Sequence, residues 1–283
     1  SADTVVATPD GEVPISEIAV GDEVDMQIED VLEESAMIDT ICDRKNYVAR
    51  VSPHNKHQHH IIAANLDQSL LFATLKDPKT SQGFIDRFLI SCEAYHIPPI
   101  IVFNKSDLYK QKELDHFAHL QKIYSNIGYQ VMLCSVEKNK GVEEIAALLE
   151  GKTTLLSGHS GVGKSTFINA VFPSLELRTQ EVSGWSGKGM HTTTFAEMFD
   201  LPTSGAIIDT PGIRELGLVD ISKQELAHYF PEMRAQMGNC HFNNCMHIEE
   251  PGCAVKQALE QGEIAADRYV SYLNILTTMD AAH

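Results

Sequence analysis

A glycine-rich stretch at residues 158–165 constrains this chain more than any other part of it. It reads Gly-His-Ser-Gly-Val-Gly-Lys-Ser and lies between an apolar run at residues 153–157 and a helix-favouring run at residues 166–172. The order of strand, glycine-rich loop and helix is typical of a phosphate-binding P-loop, in which successive main-chain N–H groups face one anion at a helix N-terminus. The sequence therefore predicts a P-loop inside an α/β sheet.

Each position of this P-loop has an expected task. The three glycines should let the main chain curl around phosphates, Lys164 should reach the β- and γ-phosphates, and the Ser165 hydroxyl should ligate Mg²⁺. A glycine-rich turn without a ligand is the alternative, but strand and helix both flank the motif as a P-loop requires. The residues expected to contact nucleotide here are Gly158, His159, Ser160, Gly161, Val162, Gly163, Lys164, Ser165 and Thr166.

Strand and helix patterns alternate around the P-loop. Short apolar runs at residues 100–103 and 206–208 have the length of buried parallel strands, and residues 84–95 carry apolar side chains at helical spacing. This alternation predicts a doubly wound, mainly parallel sheet with ligands at the carboxyl ends of its strands.

The tetrapeptide that follows residues 100–103 is Asn104-Lys105-Ser106-Asp107, with the pattern N-K-x-D. The Asp107 carboxylate can accept hydrogen bonds from N1–H and the 2-amino group of guanine, a donor pattern that adenine lacks, so it would select GTP over ATP. The Lys105 stem would lie over the base, and Asn104 would join this loop to the P-loop and the purine. Ser135, after the next strand, has the position from which a main-chain N–H would meet guanine O6.

A further motif, Asp-Thr-Pro-Gly at residues 209–212, follows the apolar run at residues 206–208. Asp209 should hold Mg²⁺ through water, and the N–H of Gly212 should bond to the γ-phosphate. The next residue is Ile213, and a hydrophobic side chain cannot orient the attacking water. We therefore expect a low intrinsic rate of hydrolysis.

A long polar segment, residues 178–194, ends in a histidine and three threonines. Loops of this length inside compact domains are usually functional or disordered. We expect Thr193 to close over the γ-phosphate and Mg²⁺, with Thr192 as the second choice and a β-favouring threonine run as the alternative. His191 is the candidate catalytic group, and Arg214 or a group supplied by a partner are its rivals.

Three of the six cysteines lie close together near the end of the chain, in the pattern Cys-x₄-Cys-x-His-x₅-Cys. Three thiolates and one imidazole form a closed tetrahedral zinc shell with no open catalytic position. His241 is an alternative ligand if the geometry differs. The predicted zinc ligands are Cys240, Cys245, His247 and Cys253. The other cysteines, Cys42, Cys92 and Cys134, have apolar surroundings and are expected in the core.

Charge is distributed unevenly along a chain whose net charge is −17. Residues 1–43 hold thirteen carboxylates and neither Lys nor Arg, whereas residues 44–60 hold basic residues and no acid. The basic segment predicts a positive patch that meets phosphate, or equally a solvated linker. Short β-favouring runs in residues 1–52 predict a small β-barrel, although this segment is short and acidic for a barrel that binds RNA.

The order of the motifs differs from that of an ordinary GTPase. Residues 104–107 precede the P-loop, whereas the N-K-x-D motif ordinarily follows it. A parallel sheet tolerates a cut in one connection and a join in another while its strands keep their places. The order therefore predicts a circularly permuted GTPase domain, in which residues 209–212 lead almost directly into the cysteine-rich block.

With these motifs in this order, the chain resembles the ribosome-small-subunit-dependent GTPase A family (RsgA/YjeQ type). The resemblance covers nearly the whole chain and extends to residues 64–68 and 83–88. It implies an OB-fold barrel, a permuted GTPase domain and a helical zinc-binding domain. We place these domains at residues 1–52, 60–219 and 220–283, with a barrel that is either incomplete or divergent.

The resemblance also implies a function, namely late maturation of the bacterial small ribosomal subunit with GTP hydrolysis stimulated by that subunit. The implied cofactors are Mg²⁺ with GTP or GDP and one Zn²⁺, and the implied partner is the subunit with its rRNA. Because residues 1–43 are acidic, we expect RNA contacts at residues 44–60 and in the cysteine-rich block.

Two other functions stay open at this point. A GTP-gated binding scaffold with negligible turnover is compatible with Ile213, and an ATP-dependent phosphotransferase is disfavoured by Asp107. No apolar run approaches the length that crosses a membrane, and residues 1–10 lack the features of a signal peptide. We therefore expect a soluble, cytoplasmic protein, and we separately expect it to be a monomer.

Overall fold

The computed structural model describes residues 5–8, 11–14, 23–28, 31–37, 43–51, 59–175, 196–209 and 221–280. The chain divides into two compact units, Ser1–Asn65 and Leu66–His283. The predicted boundary between residues 219 and 220 touches positions outside the described ranges and stays a prediction.

The described residues of the first unit form three antiparallel strand pairs. Its strands are β1 (Val5–Thr8), β2 (Gly11–Pro14), β3 (Glu23–Ile28), β4 (Val31–Met37), β5 (Tyr47–Val51) and β6 (His59–Ala64). Strand β1 pairs with β2, β3 with β4, and β5 with β6. The register shifts within β3–β4 and within β5–β6, and such irregularities increase local twist. This strand content suits the predicted OB-like barrel, whose closure stays a prediction.

The second unit is built on a six-stranded sheet. Its strands are β7 (Gln68–Ala73), β8 (Pro99–Phe103), β9 (Gln130–Leu133), β10 (Thr153–Ser157), β11 (Glu197–Asp200) and β12 (Ala206–Asp209). The order across the sheet is β11-β12-β10-β7-β8-β9, and β11 at one edge is antiparallel to β12 while the other pairs are parallel. The predicted mainly parallel sheet is thus confirmed.

Helices lie between these strands and after them. They are α1 (Gln82–Ala94), α2 (Gln111–Asn126), α3 (Val142–Ala147), α4 (Lys164–Val171), α5 (Pro231–Met237), α6 (Ala254–Glu260) and α7 (Ala266–Asp280). Helix α1 begins after Ser81, whose hydroxyl oxygen accepts the N–H of Phe84, because a side-chain acceptor satisfies one of the free donors at a helix start. Among the described helices, none has the length and apolar character needed to cross a bilayer.

Two of the apolar clusters formed by the described residues of the second unit bear on the site. The first lies around the sheet and includes Phe72 of β7 and Phe167 of α4, whose ring centroids are 5.2 Å apart. The second joins α5, α6 and α7 around Phe230 and Tyr272, and it includes Ile90 of α1. Helix α1 therefore packs against the C-terminal helices as well as against the sheet.

The parallel sheet places the predicted motifs at one edge. Strands β8, β9, β10 and β12 end directly before residues 104–107, residues 134–136, the P-loop and the segment after Asp209. Because parallel strands share their direction, their carboxyl ends meet, and segments that are distant in sequence come together there.

Candidate nucleotide site and metal centre

The P-loop joins β10 to α4 and depends on its glycines. Gly158, Gly161 and Gly163 have φ values of 130°, 82° and 97°, which side-chain-bearing residues rarely adopt. A Cβ at Gly158 would collide with the carbonyl oxygen of Phe72, and one at Gly163 would collide with the side-chain amide of Asn104. The loop can therefore keep this curvature only with glycine at both positions.

Lys164 directs its amine back into the P-loop. Its Nζ donates to the carbonyl oxygen of Gly158 at 2.5 Å and to that of His159 at 3.4 Å. Burial lowers the pKa of Lys164, and the carboxylate of Asp209 acts in the opposite direction. Phosphate oxygens placed in the loop would offer this cation stronger acceptors than two carbonyl groups.

Asn104 joins three loops of the site through one buried side chain. Its Nδ2 donates to the carbonyl oxygen of Val162 in the P-loop at 2.9 Å. Its Oδ1 accepts the Cys134 thiol at 3.2 Å and the N–H of Val136 at 3.4 Å. The structure thus brings together the P-loop, residues 104–107, which we call the guanine loop, and the segment after β9.

Asp107 and Ser135 contact each other at the end of the guanine loop. The Ser135 hydroxyl donates to Oδ1 of Asp107 at 2.5 Å, and Asp107 itself is exposed. The N–H of Ser135 donates to the carbonyl oxygen of Lys140 at 3.0 Å. In this geometry Ser135 therefore orients the carboxylate through its hydroxyl, while its N–H, which we expected to meet guanine O6, is bonded to Lys140.

Tyr109 supports the main chain of the guanine loop, and no sequence pattern predicted this role. Its hydroxyl donates to the carbonyl oxygen of Asn104 at 2.7 Å and accepts the N–H of Leu75 at 2.9 Å. Burial raises the pKa of Tyr109 to about 12, so the hydroxyl stays protonated and able to donate. An aromatic residue in an ordinary turn does not reveal a contact that depends on a strand elsewhere in the sheet.

Asp209 lies at the end of β12, beside the P-loop strand. The register pairs it with Leu156 of β10, so its carboxylate is positioned near the start of the P-loop. Six other predicted site residues lie outside the described residues, namely His191, Thr192, Thr193, Gly212, Ile213 and Arg214. The placement of Asp209 agrees with the predicted water-mediated Mg²⁺ ligand, which stays a prediction.

The predicted metal ligands converge in the C-terminal helices. The ligand atoms of Cys240, Cys245, His247 and Cys253 all lie within 4.8 Å of one another, and His247 and Cys253 are buried. Nδ1 of His247 is 3.4 Å from the sulfur of Cys253 and 3.7 Å from that of Cys240. Three sulfurs and one imidazole nitrogen at this spacing can hold a metal ion.

Neighbouring side chains hold the main chain of this cluster. The hydroxyls of Tyr269 and Tyr272 in α7 donate to the carbonyl oxygens of His247 and Met246 at 2.6 and 2.7 Å. Burial lowers the pKa of His247, which favours the neutral imidazole that a metal requires. Because α7 fixes the loop, the histidine faces the sulfurs.

The carboxylate of Glu250 organises the turn between His247 and Cys253. It accepts the N–H groups of Met246, Ile248 and Glu249 at 2.7 to 3.1 Å. Burial acts to raise the pKa of Glu250, but these donors outweigh it and lower the pKa. By contrast, His241, the alternative ligand, lies outside the cluster, and its ring stacks edge-on against Phe242.

Comparison with protein families agrees with this geometry. The model of the family described as RsgA GTPase matches residues 41–219. The chain belongs to the RsgA GTPase family. It is accordingly a GTP hydrolase, and the guanine loop ahead of the P-loop, within one parallel sheet, makes its domain a circularly permuted one.

Similar RsgA proteins cover most of this chain. The protein named "Small ribosomal subunit biogenesis GTPase RsgA" of Cytophaga hutchinsonii is 53% identical over 93% of this chain and 86% of its own length. The protein of the same name from Bacteroides fragilis is 50% identical over 92% of this chain and 83% of its own.

Two solved structures share the fold. The crystal structure of YjeQ from Thermotoga maritima matches with a TM-score of 0.73 and 33% identity, over 93% of this chain and 85% of that one. YloQ, described as a circularly permuted GTPase, matches with a TM-score of 0.70 and 32% identity, over 95% of this chain and 84% of that one.

Proposed function

We propose that this protein binds the small ribosomal subunit and acts late in its maturation, hydrolysing GTP to GDP and phosphate with stimulation by that subunit. The observation that carries the proposal is the 53% and 50% identity to two proteins named small ribosomal subunit biogenesis GTPase RsgA. Likeness of this extent, over 93% and 92% of the chain, includes both the nucleotide site and the cysteine-rich block.

The guanine loop supplies base recognition in this proposal. The exposed Asp107 carboxylate, oriented by Ser135, accepts the N1–H and 2-amino group of guanine. Adenine would leave the carboxylate without these donors, and an unpaired site of this kind rejects a ligand strongly. Lys105 lies over the base, and Asn104 keeps the base site in register with the P-loop.

The P-loop supplies phosphate binding. The N–H groups of residues 158–166 surround the phosphates, and Lys164 exchanges the carbonyl oxygens of Gly158 and His159 for β- and γ-phosphate oxygens. The hydroxyls of Ser165 and Thr193 would ligate Mg²⁺, and Asp209 would hold it through water. When bound, Mg²⁺ would neutralise charge that develops on the phosphate oxygens during transfer.

Hydrolysis depends on groups outside the P-loop. His191 orients the attacking water, and the N–H of Gly212 bonds to the γ-phosphate. Because Ile213 follows Gly212, where a water-orienting side chain is absent, the intrinsic rate is low and the bound subunit accelerates it.

The metal at the cysteine cluster is Zn²⁺ in this proposal. Three thiolates and one imidazole are the ligands that structural zinc prefers, and they leave no coordination position for a substrate. The site fastens an irregular loop to α6 and α7 and so stabilises the block that contacts rRNA. Residues 44–60 provide a second contact to rRNA through their basic side chains.

The working form of the protein is a cytoplasmic monomer that exchanges between free and subunit-bound states, without a membrane partner.

The decisive experiment measures steady-state GTP hydrolysis with purified small subunits, purified large subunits or neither. We expect stimulation by small subunits alone. If small subunits leave the rate unchanged while GTP binding is intact, the ribosomal part of the proposal fails, and a single-turnover rate near zero would favour a GTP-gated scaffold.

A second experiment tests base recognition. Asp107→Ala should raise the dissociation constant for GTP on the order of a hundredfold or more, because the guanine donors lose their acceptor. The affinity for ATP should not change. Asp115→Ala is the matched control, since this carboxylate is also exposed but lies on α2, where it accepts a hydrogen bond from the side-chain amide of Gln111. If Asp107→Ala leaves the nucleotide preference unchanged, Asp107 does not select guanine, and the hypothesis of an ATP-dependent phosphotransferase gains support.

A further inference from the structure

A third loop lies between the P-loop and the guanine loop. It is the connection from β7 to α1, residues 74–81, which we call the 74–81 loop. Strand β7 lies between β10, which leads into the P-loop, and β8, which leads into the guanine loop. The 74–81 loop therefore leaves the sheet between the two nucleotide motifs.

The 74–81 loop contacts both motifs. Lys105 of the guanine loop donates from Nζ to the carbonyl oxygen of Asp77 at 2.6 Å. The ring of Pro78 faces the P-loop at Gly161, where a Cβ would lie 3.6 Å from Cδ of the proline. The hydroxyl of Thr80 meets Nε2 of His159 at 2.7 Å.

The hydrogen bonds around Thr80 show which residue is the donor in its contact with His159. Oγ1 of Thr80 accepts the N–H of Thr74 at 3.0 Å, so its own hydrogen is available for Nε2 of His159. Nδ1 of His159 then carries the ring hydrogen and donates to the carbonyl oxygen of Ser160 at 3.3 Å. When the imidazole is neutral, each donor in this series of hydrogen bonds faces an acceptor.

The surroundings of His159 favour that neutral form. Burial lowers the pKa of His159, and Lys164 and Lys105 lower it further, although the hydrogen bond to Ser160 acts in the opposite direction. The ring of Phe84 in α1 packs edge-on against the imidazole, with centroids 5.5 Å apart. Thr80 itself is 3% exposed. His159 is half-buried, so protein shields the contact from solvent on the side of Thr80 and Phe84.

This contact bears on the main chain that binds phosphate. The carbonyl oxygen of His159 is one of the two acceptors of Lys164, and the following residues carry the N–H groups that face the phosphates. An anchored His159 side chain limits the rotation of its own peptide groups. It therefore limits how far the first half of the P-loop can depart from the phosphate-binding curve.

We propose that Thr80 is a positioning residue for GTP binding and hydrolysis, which acts through His159 to hold the P-loop in its phosphate-binding conformation. The inference rests on the proposed nucleotide site. Thr80 does not touch the nucleotide in this scheme. Its effect passes through the single hydrogen bond to His159. Without that bond the P-loop must be ordered at each binding event, and this cost weakens the binding of GTP and GDP.

The experiment is a double-mutant cycle on nucleotide affinity in the full chain. The variants are His159→Phe, which keeps a ring against Phe84 but removes the nitrogen, Thr80→Val, and the two combined. Titration calorimetry with GDP and with a non-hydrolysable GTP analogue gives dissociation constants and the number of competent sites. Each single variant should raise the dissociation constant by about threefold to tenfold, the range that the loss of one hydrogen bond gives.

The combined variant distinguishes positioning from a general loss of folding. If both residues act through one hydrogen bond, the dissociation constant of the double variant should not exceed that of the single variant with the larger loss of affinity. Thr80→Ser, which keeps the hydroxyl, should restore the wild-type dissociation constant. Ser81→Ala is the matched control, because it weakens the start of α1 without touching His159 and should lower thermal stability while leaving the dissociation constants unchanged.

Three results would overturn the inference. They are wild-type affinity in His159→Phe, multiplicative losses in the double variant, and fewer competent sites with unchanged affinity at those that remain. These results concern only the contact between Thr80 and His159. Failure of the proposed function has a different outcome, namely wild-type protein that binds no guanine nucleotide.

Discussion

The guanidinium of Arg268 in α7 lies 2.5 Å from the carboxylate of Asp86 in α1, and the two side chains are 1% and 0% exposed. The same guanidinium donates to Glu232 of α5 at 2.6 Å and stacks over the ring of Phe230, 4.5 Å from its centroid. The hydroxyl of Tyr124 in α2 also donates to Asp86, at 2.7 Å. One buried cation thus connects two helices of the nucleotide-binding part with the C-terminal helices.

Arg268→Ala should lower the free energy of unfolding by about 3–5 kcal/mol, because it leaves two carboxylates buried without their cation. Urea titration at pH 7, followed by circular dichroism, measures the change. Arg234→Ala is the control: its ion pair with Glu93 is 3.0 Å long but its side chain is 50% exposed, so the cost should stay below about 1 kcal/mol. If both variants lower the free energy of unfolding by similar amounts, the buried network stabilises the protein no more than a surface ion pair does.

Gly163→Ala should disable nucleotide binding. A Cβ at this position would displace the side chain of Asn104 and would force an alanine to a φ of 97°. Backbone strain of about 1–2 kcal/mol alone corresponds to roughly tenfold in affinity, and displacement of Asn104 adds to it. Titration with a fluorescent GDP analogue measures the loss.

The matched control for Gly163→Ala is Gly238→Ala, since Gly238 has a φ of −61° and a Cβ there meets nothing within 4 Å. This variant should bind GDP like the wild type. Tight GDP binding by Gly163→Ala would mean that Asn104 is not required to connect the two nucleotide loops.

Metal removal should unfold the C-terminal helices. The loop at residues 240–253 is held by the cysteine cluster, and structural zinc contributes directly to folding free energy. Purified protein should contain one zinc per chain by atomic emission, and a chelator should reduce helical circular dichroism as the metal leaves. His247→Ala should lose the metal, and His241→Ala should retain it because His241 lies outside the cluster. Full zinc content in His247→Ala would exclude this ligand set.

Local sequence patterns predicted much of this fold. Apolar runs gave β8, β10 and β12, helical spacing gave α1, and the cysteine spacing gave the metal cluster, since each of these signals lies within a short stretch of chain. The phosphate-binding curvature also follows from glycines at fixed intervals.

The contacts that sequence did not predict join residues far apart in the chain. Arg268 and Asp86 are separated by 182 positions, and Thr80 and His159 by 79. Their pairing depends on which helices and loops pack together, and neither an arginine in an amphipathic helix nor a threonine before one indicates its partner. Periodicity and spacing are local properties of a sequence, whereas tertiary packing sets these partners.

His191→Ala should lower GTP hydrolysis in the presence of small ribosomal subunits while leaving the dissociation constant for GTP unchanged. A group that orients the attacking water contributes about 10²–10⁴-fold to the rate, and Ile213 cannot supply that contribution. Single-turnover hydrolysis at saturating subunit concentration measures the chemical step.

Arg214→Ala is the matched comparison, because Arg214 is the rival group in this chain. If His191→Ala hydrolyses GTP at the wild-type rate and Arg214→Ala does not, the catalytic role belongs to Arg214. Wild-type rates in both variants would instead assign the catalytic group to the ribosomal subunit.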